Sequence, residues 1–276
     1  TVYDYIKGVF SGDGKIFKLS NTENINARWR GRAFAELDTE EKSRIRNTTI
    51  HAIIFEQKHP RNDTGMFQIF ERINTGGRTL KAQEIRNCVY QGKCNDLLFE
   101  LNKRNSWRRI LGLDVEDSRM ADLELILRYF AMRDLHIRNE GQLKQINLAK
   151  YLNQYMSDKT RTTEEDILNM KQDFIQMIDK VFELFGKTAF KNLKKESENF
   201  ASRINPAIFD AISVATSYAI KTGVEFTQED YLEKYKSLLK NEEFLRASSS
   251  RTTNIDNIKI RIQLAAKSLY GVTYEW

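Results

Sequence analysis

The sequence predicts a mainly α protein, a small α+β segment followed by an α-helical bundle. Three observations predict it. Beyond residue 62 apolar residues recur at helical spacing, helix start and stop signals punctuate the chain, and the β-branched run suited to a strand falls before that point.

Taken in order, Val2, Ile6, Val9 and Phe10 already keep helical spacing, so the chain reads as opening inside a helix and is expected to continue upstream. Ile16 to Leu19 is a brief apolar run, and Thr48 to Phe55 is β-branched enough for a buried strand, ended by Lys58-His59-Pro60-Arg61-Asn62. Asp63 then precedes Met66, Phe70 and Ile73 at i, i+4 and i+7, which predicts a capped helix to about Ile73, stopped by Asn74-Thr75-Gly76-Gly77. A second helix is expected from Leu80 to Tyr90, with Gly92 just past its end, and others over Asp96–Arg104, Ser106–Leu111 and Ser118–Leu135.

The remainder reads as helix throughout. Thr163 with Asp166 opens a long segment closed by Gly186, Asn205-Pro206 opens another closed by Gly223, Thr227 with Asp230 repeats the pattern, and Ile255 to Leu269 before Gly271 is the last helix. Two seams suggest themselves, Gly112 and the polar stretch Arg138–Gln142; the first gives domains 1–112 and 113–276.

Composition excludes some classes. Hydrophobic residues make up 41% and charged residues 30%, and no apolar run approaches the roughly 18 residues of a membrane span. Cys88 and Cys94 match neither a zinc site nor a disulfide scaffold, so they read as reduced thiols, consistent with the cytoplasm. The net charge is +6, and the window Arg72–Arg109 holds nine basic residues (Arg72, Arg78, Lys81, Arg86, Lys93, Lys103, Arg104, Arg108, Arg109) against three acidic ones (Glu84, Asp96, Glu100), an excess that would favour phosphates or serve as a solvated face.

The stretch Phe67 to Asn87 carries the chemistry: a helix, a Gly-Gly turn holding Asn74 and Thr75, and the opening of a second helix. Adjacent glycines let backbone approach a ligand, and a helix start offers unpaired N–H groups and a positive dipole end. Arg72, Arg78 and Arg86 supply donors for phosphate oxygens, with Thr75, Gly76 and Gly77 near them. Asn74 would orient a water or ribose, and Glu84 is the carboxylate placed as metal or proton partner. The alternative is a tight helix connection in which Asn74 caps and Glu84 merely favours a first turn.

From Phe70 to Asn87 the chain resembles the Phe-x-x-Ile-Asn-Thr-Gly-Gly-x-x-Leu-x-x-x-Glu-Ile-Arg-Asn signature of the GmrSD-type restriction family, N-terminal domain. More loosely, Thr1 to Ile6 resembles the helix after that family's Asp-Gly-Gln-Gln-Arg motif, and Asn205 to Asp210 and Arg261 resemble positions of its helical region. The resemblance implies a ParB- or sulfiredoxin-like α+β part, of which residues 1–112 would be the downstream portion. It further implies binding and hydrolysis of a nucleoside triphosphate, with Mg²⁺ the metal such phosphates bring, coupled to restriction of DNA carrying a modified base or backbone. A His-Asn-His-type nuclease domain or subunit and a homo-oligomer are the partners it suggests, and a fragment lacking the upstream motif is expected to be inactive alone. Many relatives carry Ser or Thr where Lys81 stands, which removes a side-chain cap and adds a positive charge.

No nuclease pattern joins His51, His59 or His136, each expected to be structural or solvated. Arg28-Trp29-Arg30-Gly31-Arg32, the lysines from Lys187 to Lys195 and the polar run Arg246–Thr253 are further places for nucleic acid to bind, or in turn a packed loop, a solvated helix end and a mobile loop. A non-enzymatic DNA-binding or protein-docking helical module is the competing function.

Overall fold

The computed structural model describes residues 2–10, 14–49, 54, 65–73, 79–113, 115–135, 144–159, 162–194, 197–227 and 230–276. Among them are thirteen α-helices and one two-stranded antiparallel sheet, so the chain is mainly α. It divides into two compact units, Thr1–Glu56 and Gln57–Trp276.

The first unit contains α1 (Val2–Lys7), a 3-10 turn (Phe34–Glu36) and α2 (Thr39–Arg46), with short bridges between Val9 and Ile16 and between Lys18 and Ala33. Its small core is Tyr5, Phe34 and Leu37, with Phe17 and Phe34 set edge-on to Tyr5 at 5.6 and 5.7 Å. Asp38 caps α2 by accepting from Glu41 N at 2.8 Å, and Glu41 returns the bond to Asp38 N at 3.1 Å. The strand expected over Thr48–Phe55 lies outside the described residues except for Thr48, Thr49 and Ile54, which are irregular.

The second unit runs through α3 (Gly65–Ile73), α4 (Ala82–Val89), α5 (Lys93–Asn102), α6 (Asn105–Leu111), α7 (Ala121–Arg133), α8 (Leu148–Lys159) and α9 (Glu164–Phe185). The pair β1 (Lys191–Leu193) and β2 (Phe200–Ile204) follows, then α10 (Pro206–Lys221), α11 (Tyr231–Lys240), α12 (Glu242–Ser249) and α13 (Ile255–Tyr270). Helix α10 is its axis. Asn205 caps it by accepting from Ala207 N at 2.9 Å, Pro206 occupies the first turn, and twelve of its sixteen residues are buried. Trp107 of α6 packs against Phe174 of α9 and Phe209 of α10, at 6.3 and 5.8 Å. Each such side chain removed from water contributes about 1.5–3 kcal/mol.

Several expectations need correction. The boundary falls at Glu56/Gln57 rather than after Gly112, because α4 to α6 bury Ile85, Leu97, Leu98, Trp107 and Ile110 in the same core as α7, α9 and α10. The described sheet lies in the second unit, where helix alone was expected. Gly92, at φ 133, starts α5 instead of ending α4. Asp230, not Thr227, caps α11, accepting from Glu233 N at 3.2 Å. The first half of the supposed loop Arg246–Thr253 is helical, because α12 runs to Ser249. Helix α3 turns Phe67 inward and leaves Phe70 and Ile73 exposed, so the face marked by Met66, Phe70 and Ile73 is not its buried one.

Candidate functional site

Asn74, Thr75, Gly76, Gly77 and Arg78 lie outside the described residues, whereas the helices on either side of them are described. Those two stems meet on one guanidinium. Arg86 of α4 is 1% exposed; it donates from Nη1 to Glu124 Oε2 and to Gln83 Oε1, each at 3.0 Å, and from Nε to Asn153 Oδ1 at 2.8 Å. Its Cζ lies 5.9 Å from the ring centroid of Phe67, the buried residue of α3. Burial draws the Arg86 pKa below its ordinary value, and Glu124 opposes that pull.

Arg86 is therefore a buried clamp, which corrects its assignment as a phosphate contact. A forked, planar cation suits three fixed acceptors, whereas a flexible ammonium would satisfy fewer of them.

Glu84 likewise faces inward. Its Oε2 accepts from Lys81 N at 2.6 Å and pairs with Arg119 Nη2 at 3.1 Å. Half of the cap that Lys81 was expected to lose is thus kept, because it uses the backbone N–H and not the side chain. With both engagements made inside the protein, Glu84 ties the start of α4 to Arg119 and is not a free metal or proton partner. Arg119 also donates to the carbonyl of Thr79 at 2.6 Å, fixing the residue that follows Arg78. Gln83 Nε2 and Arg119 Nε, both buried, have no hydrogen-bond partner among the described residues.

The fold pairs part of the basic window, Arg86 with Glu124 among it. Lys93 pairs with Glu164, Arg104 with Asp179 and Arg108 with Asp122, at 2.6, 2.5 and 2.8 Å, and Arg109 lies 4.5 Å over the ring of Phe182. Among the described residues Arg72, Lys81, Lys103 and Arg109 of this window form no ion pair. Arg72 ends α3 and Lys81 precedes α4, so two of those four cations stand at the roots of the Asn74–Arg78 run.

The first unit offers a cavity of about 440 Å³ walled by Val2, Tyr5, Phe17, Trp29 and Leu37. Its arginines are spent: Arg28 pairs with Glu41 at 2.6 Å and Asp38 at 3.0 Å, and Arg44 with Glu40 at 2.7 Å. The indole of Trp29 donates to Glu41 at 2.7 Å, and Arg30 donates to the carbonyls of Ile25 and Glu23. Arg28, Trp29 and Arg30 of the Arg28–Arg32 motif are thus held by bonds within the first unit, although Arg28 and Trp29 stay exposed, and both arginines lining the cavity are ion-paired.

Sequence reasoning missed Gln83, Arg119, Glu124 and Asn153. Glu124 carries a partial signal as a carboxylate inside the apolar run of α7, but its partner Arg86 lies 38 residues away, while Arg128, four residues on, pairs with Asp210. Among the described residues no group of three or more His, Cys, Asp or Glu could hold a metal ion, and His51, His59 and His136 lie outside those residues. Among the described residues no helix is long and apolar enough to cross a membrane. Comparison with family models, with curated proteins and with solved structures gives no match.

Proposed function

We propose that the chain is a nucleotide-binding, NTPase-type module of a cytoplasmic restriction-like phage-defence protein acting on modified DNA, with Asn74–Arg78 as its phosphate segment. One observation carries the reading: with Arg86, Lys93, Arg104 and Arg108 taken up in ion pairs, Arg72 and Lys81 remain without one among the described residues, on the two stems of that segment. Cations at both roots of a short Gly-Gly run favour a compact polyanion there. The buried Arg86 clamp and the Arg119 tie give the run rigid ends, which a phosphate-cradling backbone requires.

In this reading Arg72, Lys81 and Arg78 meet phosphate oxygens, Asn74 and Thr75 orient water or sugar, and Gly76 and Gly77 allow close backbone approach. Were Mg²⁺ to accompany the nucleotide, Thr75 and Asn74 would be the oxygen donors offered to it, since Glu84 is already engaged.

Titration calorimetry with ATP and GTP, each with and without Mg²⁺, tests the site on the full chain. Arg72→Gln with Lys81→Gln should weaken binding at least tenfold while leaving the melting temperature in place. Unchanged affinity in that variant, or no nucleotide binding by the chain at all, would remove the segment from consideration.

A further inference from the structure

Of the lysines after α9, Lys187 stands exposed at the helix end, whereas Lys191 and Lys194 belong to a hairpin. A 3-10 turn (Gly186–Thr188) follows α9, and the chain then forms the β1–β2 hairpin, with Lys191 opposite Ile204 and Leu193 opposite Phe200. The hairpin is fixed from below. Tyr235 of α11 donates to the carbonyl of Lys191 at 2.7 Å and stacks on Phe200 at 5.7 Å, while Phe190, at φ 65, seats its buried ring 4.7 Å from Phe209. Leu193, Phe200 and Ile204 pack against the core, and Lys194, Ser202 and Arg203 are exposed.

Among the described residues, charge on this hairpin is unbalanced. Glu198 is taken by Lys240, and Glu233 by Lys236 at 2.6 Å. Lys187, Lys191, Lys194 and Arg203 form no ion pair among the described residues. Partial burial, and then the neighbouring charge of Lys187, lowers the pKa of Lys191, so like charges are held together at a cost that a bound anion would relieve.

We propose that the Lys191–Ile204 hairpin, with Lys187 and Lys194 beside it, is a docking surface for the sugar-phosphate backbone of duplex DNA. It lies outside the nucleotide segment and rests on the reading above only for the kind of partner. The chemistry selects among polyanions. Protein interfaces are depleted in Lys and built on apolar or aromatic anchors, and here the anchors are turned into the core. A membrane surface would need the same exposed apolar groups. Single strands are gripped by stacking on exposed rings, but Phe190 and Tyr235 are fully buried and Phe200 packs against the core. What remains is a set of point charges, Lys187, Lys194 and Arg203 exposed and Lys191 half-buried, with Asn192, Asn199 and Ser202 among them, the residue types that contact phosphate without reading bases.

Fluorescence anisotropy of the full chain with a labelled duplex, across a salt series without nucleotide, tests this. The slope of log K against log salt should fall by about 3.6 when Lys187, Lys191, Lys194 and Arg203 are all changed to Gln, and by about 2.7 when Lys191 is kept, the second variant guarding against misfolding at the half-buried position. Lys103→Gln with Lys267→Gln, two exposed cations elsewhere, should change the slope much less. The proposal fails if wild type shows no salt-dependent duplex binding, if the hairpin variants keep the wild-type slope, or if single strands or polyglutamate compete as well as duplex. Calorimetry with nucleotide on the same hairpin variants should be unchanged, so either hypothesis can fall without the other.

Discussion

Asp210 and Arg261 meet in the interior of the second unit: Arg261 Nη2 donates to Asp210 Oδ2 across 3.1 Å with both side chains closed to solvent. The same carboxylate receives a fork from Arg128, at 3.1 Å from Nε and 2.6 Å from Nη2. Two guanidiniums thus share one carboxylate between α7, α10 and α13. Burial lowers the Arg261 pKa and Asp210 works against it. Asp210→Asn would leave both cations uncompensated, so urea unfolding should show a loss of about 3–5 kcal/mol. Adding Arg261→Met to that variant should cost less than Arg261→Met costs alone, because the two groups are coupled. Additive losses would refute the coupling.

Arg86 is predicted to act through stability. Arg86→Lys keeps a charge but loses the fork to Glu124, Asn153 and Gln83, and should destabilise by about 1.5–3 kcal/mol in thermal or urea unfolding. Arg72→Gln, at an exposed helix end, should stay within about 0.5 kcal/mol of wild type. If Arg86→Lys melts like wild type yet loses nucleotide binding, Arg86 is a ligand contact after all.

Legibility in the sequence followed the range of the forces. Thr163, Asn205 and Gly271 act within one helical turn, and they bound helices where their neighbours say they should. Asp210 and Arg261 were visible as positions, but their pairing spans 51 residues and no local pattern encodes it. The excess of cations from Arg72 to Arg109 misled for the same reason, since the acids that answer it, Asp122, Glu164 and Asp179, come from elements far along the chain. Helix α3 shows a different failure. Its periodicity was readable, but which flank is buried depends on what packs there, and the guanidinium of Arg86 selects Phe67.

The two cysteines should separate by reactivity. Cys88 is exposed and Cys94 buried, and burial raises the Cys94 thiol from 9.0 to about 11. Iodoacetamide at pH 8 should alkylate Cys88 in the native protein and Cys94 only after unfolding, as read by mass spectrometry. A folded-state pKa above the unfolded one favours the protonated thiol, so this contribution to stability is present below about pH 8.5 and is lost as pH rises toward 11. Equal labelling of both residues under native conditions would contradict the burial of Cys94.

Asp122 is predicted to set part of the acid limit of the fold. Burial alone would raise its pKa, but donors from Asp117 N and Asn102 Nδ2 at 3.0 Å, Arg108 Nη1 at 2.8 Å and Leu123 N at 2.9 Å hold it below the usual value. A folded pKa below the unfolded one makes the stabilisation fully present above about pH 4 to 5 and removes it as pH falls through the folded pKa. Asp122→Asn should cost about 3–5 kcal/mol at pH 7, because it strips the charge from a buried pair with Arg108. The gap between wild type and variant in urea midpoints should then narrow steadily from pH 5 toward pH 2. A gap that stays constant over that range would show that the Asp122 carboxylate does not titrate differently in the folded and unfolded chains.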